Sequence, residues 1–91
     1  MKVHQSGSFK RKLKKLPIDH KPALDRAVKK IVGKPDIGVI KRGDLAGVRV
    51  YKFKVKTLQY LLAYAHDSEN EAVTLLALGP HENFYRDLKN Q

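Results

Sequence analysis

Most of the fold follows from residues 48–78, which read VRVYKFKVKTLQYLLAYAHDSENEAVTLLAL. Runs rich in Val, Leu, Tyr and Phe alternate there with short polar segments, a pattern typical of strands joined by tight turns. It predicts three strands at about Val48–Lys56, Tyr60–His66 and Ala72–Leu78. The polar loop at residues 67–71 has a suitable length for a hairpin, so we expect these strands to pair in order as an antiparallel meander.

The first of these strands has two chemically different faces. Alternation places one set of side chains toward a core, namely Arg49, Tyr51, Phe53 and Val55. The opposite set is Val50, Lys52, Lys54 and Lys56. Three ammonium groups in a row repel one another and contribute nothing to folding, so they indicate a bound polyanion such as a single-stranded phosphodiester backbone. The alternative is a solvent-facing strand whose lysines discourage pairing with other chains.

Helical periodicity dominates the sequence before residue 33. Apolar side chains recur at i, i+4 and i+7 from Phe9, which predicts a helix over Ser8–Leu16. A second apolar stripe predicts a helix from Asp19 or His20 to Val32, and the short connection makes the two an αα-hairpin. Residues 2–5 are a candidate for one further strand, and residues 81–89 are expected to form a short helix or an irregular tail.

These elements predict one α+β domain over residues 1–91, with a helical hairpin packed on a twisted antiparallel sheet of three to four strands. The chain has no cysteine, which excludes a disulfide scaffold, a thiolate zinc site and a cysteine nucleophile. No apolar run approaches the length that spans a bilayer, and no signal peptide is recognisable. We therefore expect a cytoplasmic protein with no membrane contact.

Positive charge is concentrated in the first half of the chain. The formal net charge is +10, and residues 1–42 hold 13 Lys and Arg against 3 Asp and Glu, whereas residues 43–91 hold 6 of each kind. Such asymmetry indicates a basic face for a polyanion or for an acidic protein partner, the alternative being a lysine-rich solvated exterior. We expect the N-terminal surplus to serve docking, and the lysine row of the neutral half to serve chemistry.

A second candidate for chemistry follows the last predicted strand. His81 and Tyr85 are four residues apart and would share one face of a helix, with a general acid–base group beside a group that stacks on bases. In the alternative, His81 only starts the helix that Phe84 and Leu88 dock on the core. The other histidines are scattered without metal-ligand spacing, so no metal site is predicted; they are His4, His20 and His66.

With these segments in this order, the whole chain resembles the RelE/ParE superfamily of toxins from type II bacterial toxin–antitoxin systems. The segments that carry the resemblance are the basic helix ending in KKLP, GDLAGVRVYKFK at 43–54, YLLAY at 60–64 and LALGPH at 76–81. The resemblance implies a microbial ribonuclease-like fold and metal-free cleavage of messenger RNA, in many members on the translating ribosome. It implies attack by the 2′-hydroxyl on the adjacent phosphorus, with Lys52 and Lys54 at the phosphate.

The sequence departs from the RelE branch at two positions. That branch has arginines where this chain has Leu61 and His81, whereas the YafQ-like branch has a histidine near the position of His81 with an aromatic residue four positions later. This similarity implies that His81 is the general acid for the leaving 5′-oxygen and Tyr85 the stacking group. His66 and Asp67 are the nearest candidates for the further histidine and acid of that branch. Further predicted phosphate contacts are Lys56, Arg49 and Arg86.

The resemblance also implies partners. We expect a cognate acidic antitoxin, messenger RNA and the ribosome with its RNA, and no small-molecule cofactor. Two other functions stay open on the same sequence. The ParE branch of the fold poisons DNA gyrase without cleaving RNA, and a small basic domain of this kind can also bind RNA without catalysis.

Overall fold

A computed structural model describes residues 1–43 and 47–80 of the chain. The elements in chain order are β1 Lys2–Gln5, α1 Gly7–Lys15, α2 Lys21–Gly33, β2 Val39–Ile40, β3 Arg49–Val55, β4 Leu58–Asp67 and β5 Ala72–Pro80. A 3₁₀ turn at Ile18–His20 joins the two helices. None of the helices in these two ranges is long and apolar enough to cross a membrane.

The strands form one five-stranded sheet in the order β1-β5-β4-β3-β2. The predicted meander of β3, β4 and β5 is confirmed, because β4 pairs antiparallel with both of its neighbours. The prediction of a wholly antiparallel sheet of three to four strands is wrong, since β1 pairs parallel with β5. The chain leaves β1 into α1 rather than into a tight turn, so no hairpin forces β1 to run antiparallel.

The short strand β2 is not predicted by the sequence. Val39 and Ile40 pair antiparallel with Val50 and Arg49 in a segment whose composition predicts only turns. A two-residue strand is too short for alternation to show. Both of its side chains are exposed, by 62 % for Val39 and 50 % for Ile40, so no buried face marks it either.

Both predicted helices are confirmed. Ser6 caps α1, with its hydroxyl accepting from the backbone N–H of Phe9 at 3.1 Å and donating to the carbonyl of Leu76 at 2.8 Å. Proline follows the C-cap residue Leu16 and stops the helix. α1 packs on β5 and α2 on β3. The pairing of the helices as a hairpin stays a prediction, and the expected C-terminal helix at residues 81–89 lies outside the described residues.

Each face of the sheet carries an apolar cluster. On the helix side, Phe9 of α1 and Ile31 of α2 pack with the inward residues of the three long strands, of which Tyr64, Leu62 and Val73 are fully buried. On the other side, a second buried cluster consists of Val50, Leu61, Ala63 and Ala77. The central strand β4 is therefore buried on both faces from Tyr60 to Tyr64, which makes it the rigid support for β3.

Candidate functional site

Lys52 and Lys54 lie together on the face of β3 that points away from the helices. Tyr51, Phe53 and Val55 pack against the helix-side core, as alternation predicts. Both lysines are exposed. Two residues along a strand separate their Cα atoms by roughly 6.6–6.8 Å, a spacing at which two ammonium groups can contact neighbouring phosphates of an extended polynucleotide.

The neighbours of Lys52 across the sheet are not charged. Lys52 pairs with Leu61 of β4, and Leu61 pairs in turn with Gly79 of β5. Leu61 has no exposed surface and belongs to the second apolar cluster. The positive charge on this part of the face therefore comes from β3, and an apolar side chain stands beside it.

Lys56 does not continue the lysine row, in contrast to the prediction. β3 ends at Val55, and Lys56 has a φ of 57° in the tight turn to β4, so strict alternation stops one residue earlier. Its ammonium group lies 3.5 Å from a carboxylate oxygen of Asp19. Asp19 belongs to the 3₁₀ turn between the helices, so Lys56 contacts the helical layer of the molecule.

Arg49 holds the segment before β2 rather than joining the lysines. Its guanidinium Nη1 donates to the carbonyl of Gly38 at 2.9 Å and to the carbonyl of Asp36 at 3.3 Å. By alternation the Arg49 side chain is on the helix side of β3, opposite Lys52 and Lys54. The structure thus does not bring this predicted phosphate contact to the lysine face.

A buried tyrosine holds the same segment from the other side. The hydroxyl of Tyr64 donates to the carbonyl of Pro35 at 2.7 Å and accepts from the N–H of Gly38 at 2.9 Å. Burial raises the pKa of Tyr64, while the bond from Gly38 and the charge of Arg49 act in the opposite direction. Sequence reasoning overlooked this role, although a tyrosine on a core-facing position needs a partner for its hydroxyl.

A basic groove of about 260 Å³ joins the helix layer to the lysine row. Arg26 and Lys30 line it from α2, one helical turn apart, and Lys52 and Lys54 line it from β3. Tyr51 also contributes to its wall. Residues of both layers therefore line this groove, and four of them are cationic. The sequence indicated a basic N-terminal half but not this juxtaposition, which arises only when α2 packs on β3.

His20 forms a polar contact near the start of β4. Its Nδ1 lies 2.9 Å from the hydroxyl of Tyr60, in a hydrogen bond that ties the 3₁₀ turn to the sheet. Phe53 stacks on the ring of Tyr60 with centroids 5.6 Å apart. Burial raises the pKa of Tyr60, and the negative charge of Asp19 raises it further. Over residues 1–43 and 47–80, no group of three metal-binding side chains occurs.

With this geometry established, comparison with known proteins identifies the family. Residues 3–89 match the profile of a family described as ParE-like toxin of type II bacterial toxin-antitoxin system. The chain belongs to this toxin family. A comparison with curated proteins finds no significant match.

The fold of this family member is similar to that of the E. coli toxin RelE. The crystal structure of the intact E. coli RelBE toxin–antitoxin complex matches with a TM-score of 0.71 and 20 % identity, covering 89 % of this chain and 96 % of that chain. A double arginine-to-alanine mutant of E. coli RelE in the free state matches with a TM-score of 0.69 and 20 % identity, covering 89 % and 83 %. At this identity the likeness concerns the fold, an α+β arrangement of two helices on a mixed sheet.

The remaining residues that the resemblance singled out are not all near the lysines. His66 and Asp67 end β4, where Asp67 pairs with Ala72. Five residues of strand separate His66 from Leu61, or roughly 16 Å. Hydrogen bonds from Asn70 lower the pKa of Asp67, so its carboxylate serves the turn. Three further predicted residues lie outside the described part of the chain: His81, Tyr85 and Arg86.

Proposed function

We propose that this toxin is a messenger-RNA endoribonuclease that acts on the translating ribosome. The observation that carries the proposal is that Lys52 and Lys54 lie exposed on one face of β3. Both also line a groove to which α2 contributes two further cationic residues, Arg26 and Lys30. Paired ammonium groups on a rigid strand suit a phosphodiester, because they attract its charge before reaction and stabilise the additional charge that develops during it.

The proposed reaction is an intramolecular transesterification. The 2′-hydroxyl attacks the adjacent phosphorus, the bond to the 5′-oxygen of the next nucleotide breaks, and the products are a 2′,3′-cyclic phosphate and a free 5′-hydroxyl. One of the two lysines stabilises the phosphorane oxygens as an ammonium group, and the other reacts as the free amine, which accepts the proton of the 2′-hydroxyl. His81 gives a proton to the leaving 5′-oxygen, and Tyr85 stacks on an adjacent base. In this scheme the chain needs no metal ion.

Pro80 supports the assignment of His81. β5 ends at Pro80, which pairs with Tyr60, while the neighbouring Gln59 pairs with Lys54. Pro80 therefore lies at the end of the sheet where Lys54 lies, and His81 is the next residue in the sequence.

The test is transcript cleavage in cells. Induction of the wild-type chain is expected to produce defined cuts by primer extension on a reporter transcript. The variants His81→Ala, Lys52→Ala and Lys54→Ala are each expected to lower cleavage by about 10²-fold or more. Lys29→Ala, an exposed lysine on the far side of α2, is the matched control and should leave the cuts unchanged. Undiminished cleavage by all three site variants would refute the assignment.

Gyrase inhibition is the second candidate, favoured by the description of the matched family as ParE-like. Leu61 is consistent with it, because the chain carries an apolar residue where the RelE branch places an arginine. A supercoiling assay with purified gyrase discriminates the two functions. Loss of supercoiling without transcript cleavage would assign the protein to gyrase inhibition, whereas RNA binding with neither activity would indicate a non-catalytic module.

We further propose a cognate antitoxin as partner and the cytoplasm as location. A type II toxin is paired with a protein that neutralises it, and the similar RelE structure was solved in complex with its antitoxin. With a net charge of +10 on this chain, an acidic partner segment is favoured by charge complementarity.

A further inference from the structure

The second half of β3 has an open edge. On one side, β2 pairs only with Arg49 and Val50 of β3. On the other side, β4 pairs with every residue of β3. No other strand of the described sheet runs beside Tyr51–Val55. This segment, which we call the open edge, presents main-chain donors and acceptors without a strand partner in the described part of the chain. Edges of this kind are extended by added strands unless the protein blocks them.

The pairing with β2 shows which residues direct their main chain to that edge. The carbonyl of Val48 accepts from the N–H of Lys41 at 2.8 Å, so the main-chain groups of Val48 point toward the β2 side. Direction alternates along a strand, which gives Lys52 and Lys54 the same orientation as Val48. The two lysines of the proposed phosphate site are therefore also the residues whose N–H and C=O groups face the open edge.

The open edge exists because the chain before β2 is held elsewhere. Extending the register of β2 backwards would set Ile37 opposite Lys52. Instead, Tyr64 binds the N–H of Gly38, and Arg49 binds its carbonyl, so this segment leaves the sheet. Two interactions from buried or half-buried side chains thus keep the site free for another chain.

The surroundings of the open edge suit an acidic peptide. On the helix side lie Arg26 and Lys30, and the ammonium groups of Lys52 and Lys54 extend from the edge itself. An added strand points successive side chains to opposite faces, so carboxylates at alternate positions would reach one pair of cations or the other. At the β2 end the neighbours are aliphatic and exposed: Ile37 by 38 %, Val39 by 62 % and Ile40 by 50 %. Aliphatic surface and main-chain pairing favour a polypeptide over a polynucleotide.

We propose that the open edge takes an extended segment of the antitoxin as a sixth strand, acidic beside Lys52 and Lys54 and aliphatic at the β2 end. The identity of the partner rests on the proposed function, whereas the docking mode rests on the edge itself. In this position the segment covers the groove and engages both lysines. Inhibition then follows directly, because the added strand occupies the space that an RNA phosphate needs.

Residue-resolved amide hydrogen exchange tests the edge directly. In the free protein, the amides of Tyr51 and Phe53 bond to β4 and should exchange slowly, whereas those of Lys52 and Lys54 should exchange fast. The probe is the peptide acetyl-EDEEVIV-amide, which has four acidic and then three aliphatic residues. On binding, it should slow the exchange of the Lys52 and Lys54 amides by about tenfold or more and leave Phe53 unchanged. Binding without this protection would overturn the proposal.

Two further probes separate main-chain pairing from charge. The same peptide methylated on every backbone nitrogen keeps its carboxylates but cannot donate to a strand, so its binding should be abolished. Equal binding by the methylated peptide would show a purely electrostatic contact and reject strand addition. Protection of these two amides by heptauridylate, with no binding of the acidic peptide, would assign the groove to RNA and also reject it. None of these readouts depends on transcript cleavage, so failure of the proposed nuclease activity is recognised separately.

Charge variants on α2 complete the test. Arg26→Ser with Lys30→Ser should weaken peptide binding by about tenfold, because two partly screened attractions at the rim are lost. The control is Lys21→Ser with Lys29→Ser, which removes the same charge from the same helix. Lys29 lines a different groove. The control pair should change affinity by less than about twofold, and an equal loss for both pairs would refute a specific site.

Discussion

Replacement of Gly38 by alanine tests the junction that keeps the open edge free. A Cβ at residue 38 would lie 2.7 Å from the Tyr64 hydroxyl oxygen, 2.9 Å from Cε1 and 3.1 Å from Cζ of the same ring. Contacts under 3.0 Å do not persist, so the ring or the backbone must move. Tyr64 has no exposed surface, and its hydroxyl is hydrogen-bonded to both Gly38 and Pro35. Movement of the ring or of the backbone therefore lowers stability.

The expected loss in the free energy of unfolding is the sum of two contributions. Forcing an extra carbon into a packed core costs about 1–3 kcal/mol. Displacement of Tyr64 also weakens the bond from the Gly38 N–H, which contributes about 1 kcal/mol. We therefore expect Gly38→Ala to lower the free energy of unfolding by about 2–4 kcal/mol. In a domain of this size, this corresponds to a fall in Tm of about 10–25 °C.

The measurement is thermal and urea unfolding followed by far-UV circular dichroism, with Gly33→Ala as the matched control. Gly33 ends α2, and no atom lies within 4 Å of a Cβ placed there, so its replacement should change stability by less than about 1 kcal/mol. In the double variant Gly38→Ala with Tyr64→Phe, the closest clashing atom is absent, and the two losses should not add. A wild-type Tm for Gly38→Ala, or strict additivity in the double variant, would refute the packing argument.

Three further predictions concern stability away from this junction. Burial raises the pKa of Tyr60 and Tyr64 from 10.0, so the folded state holds these protons more tightly than the unfolded state. Their contribution is complete below pH 10 and is lost as pH rises through the folded pKa values, so urea denaturation should show falling stability above about pH 10. Ser6→Ala removes the cap of α1 and its bond to β5, and should lower the free energy of unfolding by about 1–2 kcal/mol in the same assay. Asp19→Asn breaks an exposed ion pair with Lys56 and should change the free energy of unfolding by less than about 0.5 kcal/mol. A larger loss would show that this ion pair stabilises the fold.

The parts of the fold that follow from local periodicity were predictable. The alternation of aromatic and lysine residues in β3 placed Lys52 and Lys54 on the face away from the helices, because a period of two leaves no other arrangement once Tyr51 and Phe53 face the core. Likewise, the stripe from Phe9 and the proline after Leu16 defined α1. In each case the signal lies within one turn or a few residues of the element that it predicts.

The parts that depend on how distant segments meet were not predictable in this way. The direction of β1 follows from the path of the chain through both helices, and no feature of residues 2–5 specifies it. The end of the lysine row at Val55 depends on the left-handed conformation that the β3–β4 turn requires of Lys56. The role of Arg49 in holding residues 36 and 38 is likewise decided by tertiary contacts that local alternation does not describe.

The basic groove also changes how the charge of the chain is interpreted. Along the sequence, the basic first half and the neutral second half suggest separate surfaces, one for docking and one for chemistry. In the folded molecule Arg26 and Lys30 from the first half line the same groove as Lys52 and Lys54 from the second. All four cations attract whatever anion enters, so removal of any one of them weakens binding of RNA and of an acidic peptide alike. Charge substitutions alone therefore cannot tell a substrate site from an inhibitor site here, whereas the main-chain groups of β3 can, because only a polypeptide strand can pair with them in register.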